Sequence, residues 1–150
     1  MRIVLALTTF LTMPVLLTVA ADTQEATVYL DHEKIAATVA NREIKMFIDR
    51  PGFMVRVATR DGAVPPELHE KHTHVLMVLD GEATFISGGK LVGIRKNKEG
   101  EIVGGSDLQG GQEYHLTKGD VIMVAAGTPH WWKEVPTKTI TFYDVSPKVK

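Results

Sequence analysis

The chain has 150 residues, 44% of them hydrophobic and 23% charged, with a formal charge of −1 at neutral pH. This is one ordinary domain's worth of sequence, able to bury roughly two-thirds of the surface its unfolded form exposes. Seventeen basic against eighteen acidic residues, with no long block of either, argue against a nucleic-acid groove or a polybasic membrane face, and the absence of cysteine excludes disulfides, thiolate-held metals and a thiol nucleophile.

The chain opens with the pattern of a signal peptide. Arg2 is a short positive region, Ile3 to Leu17 is apolar, and Thr18-Val19-Ala20-Ala21 supplies small residues for cleavage after Ala20 or Ala21. The stretch falls short of the roughly 20 apolar residues that span a bilayer, and no basic stop-transfer cluster follows it. The expected organisation is a signal peptide over 1–21 and a single domain over 22–150, periplasmic or secreted and free of the membrane after cleavage. That domain has 129 residues with 16 basic and 18 acidic, because Arg2 is the only charge lost.

One helix is expected, from His32 to Asn41. Asp31 is its N-cap, Ile35 and Val39 share a face, and Ala36, Ala37 and Ala40 favour helix. Strand signals follow: Phe53 to Arg60, Val75 to Asp80, Ala83 to Ser87, Val121 to Ala126 and Lys138 to Val145 are short, β-branched or aromatic, and bounded by glycine, aspartate or proline. Phe53, Val55, Phe85, Tyr143 and Val145 are the core candidates. Many short strands in one chain indicate a β-sandwich or barrel. Eight of the thirteen glycines lie between Gly88 and Gly111, where Leu91 to Ile94 and Glu101 to Val103 are expected to pair across a turn at Asn97 to Gly100. This excursion reads either as a surface hairpin or as a flap over a pocket.

Chemistry concentrates in two segments. PPELHEKHTHVLMVLDG (65–81) carries three of the six histidines, and GDVIMVAAGTPHWWKE (119–134) runs from a strand through a Gly127-Thr128-Pro129 turn to His130. Together these resemble the cupin superfamily, whose first motif is Gly, His-x-His, three or four residues, Glu, six residues and Gly. Its second is Gly, five residues, Pro-x-Gly, two residues, His, three residues and Asn. In this frame Gly81 closes the first motif, His74 stands at the glutamate position, and His69 and Glu67 stand where the histidine pair would be. The opening glycine falls near Gly62, one residue out of step. In the second motif Gly119, Gly127 and His130 keep their spacing, Ala125 replaces proline, and Glu134 replaces asparagine.

The resemblance implies an all-β, cupin-type jelly-roll β-barrel with a short N-terminal helix. It also implies a divalent transition metal (iron, manganese, nickel or zinc) held by Glu67, His69, His74 and His130, a permuted form of the family's three-histidine, one-glutamate set. Such a metal is largely indifferent to which strand supplies its carboxylate. A rival set built on His72, His74 and His130 would put the glutamate position at Val78 or Leu79 and misplace Gly81, so His72 is assigned to the pocket rim or to solvent. His32 and His115 fit neither motif. If β alternation runs unbroken past His130, Trp132 forms an apolar wall of the pocket and Glu134 reaches it as an acid/base group. Tyr143 is a further pocket candidate.

Cupins include oxygenases, isomerases, lyases and decarboxylases as well as storage and sugar-binding proteins, so the resemblance leaves two functions open. One is a metal-dependent enzyme acting on a small polar metabolite. The other is a non-catalytic protein that binds a metal or small ligand. A small molecule is the expected partner, nucleic acid is not, and the homodimer common among cupins is the oligomeric state that the resemblance allows.

Overall fold

The computed structural model describes residues 27–149, so the expected signal peptide, 1–21, lies outside the described residues. One helix precedes twelve strands. Helix α1 spans His32–Ala40, and the Asp31 side chain accepts a hydrogen bond from the Glu33 amide at 2.8 Å, which satisfies one of the amides left free at the helix start. The strands are β1 (Lys45–Arg50), β2 (Phe53–Asp61), β3 (His74–Gly81), β4 (Ala83–Ser87), β5 (Lys90–Val92) and β6 (Arg95–Lys96). They continue as β7 (Ile102–Gly104), β8 (Asp107–Gln109), β9 (Gln112–Leu116), β10 (Val121–Val124), β11 (His130–Glu134) and β12 (Thr139–Pro147).

Two antiparallel sheets carry the fold. The larger runs β1-β2-β12-β3-β10 and the smaller β11-β4-β9, with the pairs β5-β8 and β6-β7 beside them. Their inner faces share one core of Ala58, Leu76, Val78, Ile140 and Phe142 from the larger sheet's central strands and Phe85, Leu116 and Trp132 from the smaller. The all-β jelly-roll expectation therefore holds, in an open two-sheet form. Phe85 is fully buried as expected, but Phe53 and Val145 are exposed and Val55 and Tyr143 only half-buried. The cause is visible in β12, TITFYDVSP, where apolar residues occupy both faces and alternation cannot choose between them. Phe142 and Asp144 turn inward, which sends Tyr143 and Val145 out. The outer face is covered in part by α1, whose Ile35 and Thr38 are buried.

Register explains how charge enters this core. Asp144 of β12 lies opposite Arg56 of β2 on one side and Leu76 of β3 on the other. Directly opposed side chains are within bonding reach, so the acid and the arginine meet inside the fold.

The glycine-rich excursion forms two short ladders, Leu91 against Leu108 and Arg95–Lys96 against Ile102–Gly104. The Asn97–Gly100 turn is where the sequence puts it, but Arg95 and Lys96 take the pairing expected of Leu91 to Ile94. The excursion docks on the first motif: Gly104 bridges to Glu67, the Leu68 amide donates to Val103, and the Gly105 amide donates to Pro66. Gly104 has φ +151°, and a Cβ there would overlap the Pro66 carbonyl and sit 3.2 Å from the Glu67 Cα. Gly104→Ala is therefore expected to cost about 2 kcal/mol or more, read as a lower urea midpoint. An unchanged midpoint would show that the excursion is not pressed against Pro66 and Glu67.

Candidate metal centre

Glu67 and His130 are brought together by the backbone. The Glu67 amide donates to the His130 carbonyl at 2.8 Å and the His130 amide to the Glu67 carbonyl at 2.9 Å, while the Gly127 amide of the turn donates to His69. The two motif segments are thus tied side by side. Donor atoms of Glu67, His69 and His130 all lie within 4.8 Å of one another. His74, at the start of β3, stands beside this group of three from the larger sheet without belonging to it, its ring centroid 4.7 Å from that of His69 and 5.8 Å from that of His130.

The rings are oriented from outside the cluster. His130 Nδ1 lies 3.0 Å from the Thr128 carbonyl. A carbonyl only accepts, so Nδ1 carries the proton and Nε2 keeps its lone pair. His74 Nδ1 lies 2.9 Å from both Asp144 Oδ1 and Ser146 Oγ. The Ser146 hydroxyl donates to the same carboxylate oxygen, and Arg56 donates to Oδ2 through Nε at 2.9 Å, with its Nη2 completing the ion pair at 2.7 Å. Burial by itself would raise the Asp144 carboxyl, but hydrogen bonding to His74 and Ser146 and the charge of Arg56 hold it well below the usual carboxylate range. Arg60 grips the other carboxylate, its Nη2 lying 3.1 and 2.8 Å from the two oxygens of Glu67.

The four candidate ligands, the two arginines and Asp144, with Leu76, Trp132 and Phe142, line a cavity of about 10 Å³, the room needed by a single water or ion. A second groove of about 120 Å³, lined by His69, His72, Glu101 and Ile102 among others, adjoins it.

Burial, followed by the neighbouring His74 and His130, pushes His69 down to about 4, against an opposing pull from Glu67. Burial likewise lowers His130. At neutral pH these rings are in the deprotonated form that ligates metals. The unfolded chain takes up the His69 proton near the ordinary 6.5, whereas the folded ring does so only near 4. The unfolded state therefore holds more protons between those values, and stability falls as pH is lowered through that window. Melting of metal-free protein is expected to drop as pH is lowered from 6.5 to about 4 more steeply in wild type than in His69→Gln. Equal slopes would show that His69 titrates normally.

The other expected site residues divide between the cavity and its surroundings. Trp132 does line the cavity. His72 is outside it, in the adjoining groove. Glu134 is exposed and lines neither. The reason is a bulge: Trp132 opposes Phe85 but Glu134 opposes Thr84, so Lys133 is an extra residue that resets the alternation. The acid/base position expected of Glu134 is thereby corrected. Tyr143 is also corrected, because its neighbours Phe142 and Asp144 face the cavity while Tyr143 lines an apolar groove on the opposite side, against Ile35 and Val39 of α1. His32 and His115 are exposed.

Sequence reasoning missed Arg56, Arg60, Asp144 and Ser146. Their signal was present, since charged residues at even spacing inside strands as apolar as FMVRVATRD and TITFYDVSP must either face solvent or be paired.

Residues 30–147 match the family model described as Cupin. No curated protein matches the chain. Among solved structures, a protein of Bacillus halodurans, BH2720, is 14% identical with a TM-score of 0.61, over 84% of this chain and 85% of that one. Protein NMB1881 of Neisseria meningitidis is 12% identical with a TM-score of 0.53, over 80% and 99%. The Schizosaccharomyces pombe Cnp3 cupin domain is 12% identical with a TM-score of 0.51, over 71% and 60%. At such identities the likeness is one of fold.

Proposed function

The chain belongs to the cupin family, and from that premise we propose that it is a small metal-binding cupin, with one divalent transition metal inside the fold serving a reaction on a small polar molecule. Glu67, His69 and His130 would hold the metal, with His74 as fourth donor. One observation carries this reading: His74 Nε2 is buried with no hydrogen-bond partner among the described residues, beside two other imidazoles. A buried polar atom left without a partner costs free energy, and a metal ion would satisfy it. Three imidazole nitrogens and one carboxylate suit iron, manganese, nickel or zinc better than calcium or copper(I).

When bound, such a metal supplies Lewis-acid polarisation or redox chemistry. The chain's own residues set the conditions around it. Arg60 and Arg56 balance Glu67 and Asp144, so the four charges cancel, and a dication would leave the centre positive and suited to a ligand with negative charge. Trp132, Phe142 and Leu76 keep that side of the cavity apolar. A metabolite is too large for the cavity, and the groove that shares His69 is its approach.

A second reading, a non-catalytic metal-binding cupin, is favoured by a separate observation. Both carboxylates lining the cavity are paired with arginines, and Glu134 lies outside. We further propose that residues 1–21 are removed on export to the periplasm or beyond, leaving the domain 22–150.

The test of metal binding is the melting temperature of chelator-treated protein during metal titration. A ligand at about 100 times its Kd stabilises by about 2.7 kcal/mol, so a rise of about 10 °C is expected for a domain of this size. No shift with any of the four metals would remove the premise.

A further inference from the structure

We propose that Asp144 is a positioning residue that fixes the tautomer of His74, so that the Nε2 lone pair is presented to the centre. The inference rests on the metal reading above and adds a function for a residue outside the ligand set. Asp144 is wholly buried; it accepts from Arg56 Nε on Oδ2 and from the Ser146 hydroxyl on Oδ1, its charge is paired with Arg56 Nη2 at 2.7 Å, and its Oδ1 faces His74 Nδ1 at 2.9 Å. An ionised carboxylate has no proton to give. His74 Nδ1 must therefore be the donor, and neutral His74 then carries a bare lone pair on Nε2. The opposite tautomer would set a lone pair against a carboxylate at 2.9 Å and place an N–H where Nε2 has no acceptor among the described residues. Arg56 completes the arrangement by holding the carboxylate from behind, in a pairing dictated by the β2–β12 register. A histidine fixed through its outer nitrogen by a carboxylate is the arrangement that orients metal-ligating imidazoles.

The substitution Asp144→Asn reverses the logic. Arg56 offers only donors, so the oxygen of the introduced amide would turn to Arg56 and its NH₂ to His74 Nδ1. The imidazole would then have to accept at Nδ1 and carry its proton on Nε2.

The experiment is long-range ¹H–¹⁵N NMR of histidine-labelled, metal-free protein, with Zn²⁺ calorimetry on wild type and Asp144→Asn. Expected are a protonated Nδ1 on His74 in wild type, a protonated Nε2 in Asp144→Asn, and Zn²⁺ affinity about 10- to 100-fold weaker in the variant. A wild-type His74 protonated on Nε2 would overturn the proposal, and this holds even if the variant does not fold. Wild-type Zn²⁺ binding with unchanged affinity in a folded Asp144→Asn would overturn the positioning role alone. No Zn²⁺ binding by a wild type protonated on Nδ1 would overturn the metal reading instead, and with it any ligand for Asp144 to position.

Discussion

His130→Ala and His69→Ala are each expected to weaken metal binding by more than about 100-fold, beyond the range seen when only an outer partner of a ligand is lost. Both rings belong to the cluster whose donor atoms lie within 4.8 Å of one another, and alanine leaves nothing there that can coordinate. The matched control is His72→Ala. His72 is two residues from His74, but its ring lines the adjoining groove and not the cavity, so this variant is expected to bind metal within a few-fold of wild type. Calorimetry on the three variants separates the alternatives. Loss in His72→Ala with retention in His69→Ala would transfer the ligand role to the rival set.

Trp132→Ala is expected to produce the largest loss of stability of any single substitution considered. Trp132 is 2% exposed and lies between two aromatic rings, edge-on to Phe85 at 4.7 Å and stacked on Phe142 at 4.8 Å. Phe85 comes from the smaller sheet and Phe142 from the larger, so this stack joins the two layers. Removing a buried tryptophan costs about 3 to 5 kcal/mol through lost burial and the cavity left behind, which for a domain of this size lowers Tm by roughly 10 to 20 °C. Because the same ring walls the cavity, metal affinity should fall as well. A loss under about 1 kcal/mol would show that the sheets do not depend on this contact.

Much of the fold was legible because its signals are local. The Asp31 cap, the alanine-rich helix, and the β-branched runs of β2, β3, β4, β10 and β12 each announce themselves within a few residues. Strands β1 and β9 were missed, since KMFIDR has charge only at its ends around Met46-Phe47-Ile48, QEYHL has just two apolar residues, and both owe their pairing to β2 and β4. The histidines and Glu67 were legible through motif spacing. Asp144 and the arginines stand out only as charges within apolar strands; their pairing was not legible, because what places Arg56 against Asp144 is a ladder between residues 88 apart. Glu134 illustrates another limit: a single bulge after Trp132 reverses which face a residue takes, and nothing in HWWKE marks it. Tyr143 was misplaced by a strand apolar on both faces, where only the partner strands decide the inward side.

The central claim is that this cupin holds a metal ion among Glu67, His69, His74 and His130. It is tested most directly by elemental mass spectrometry of protein purified without chelator or affinity histidines, in wild type and His130→Ala side by side. The expected result is about one equivalent of a transition metal per wild-type chain and a small fraction of that in the variant. Wild-type protein with no transition metal above the level of the variant, and none taken up on incubation with iron, manganese, nickel or zinc, would contradict it.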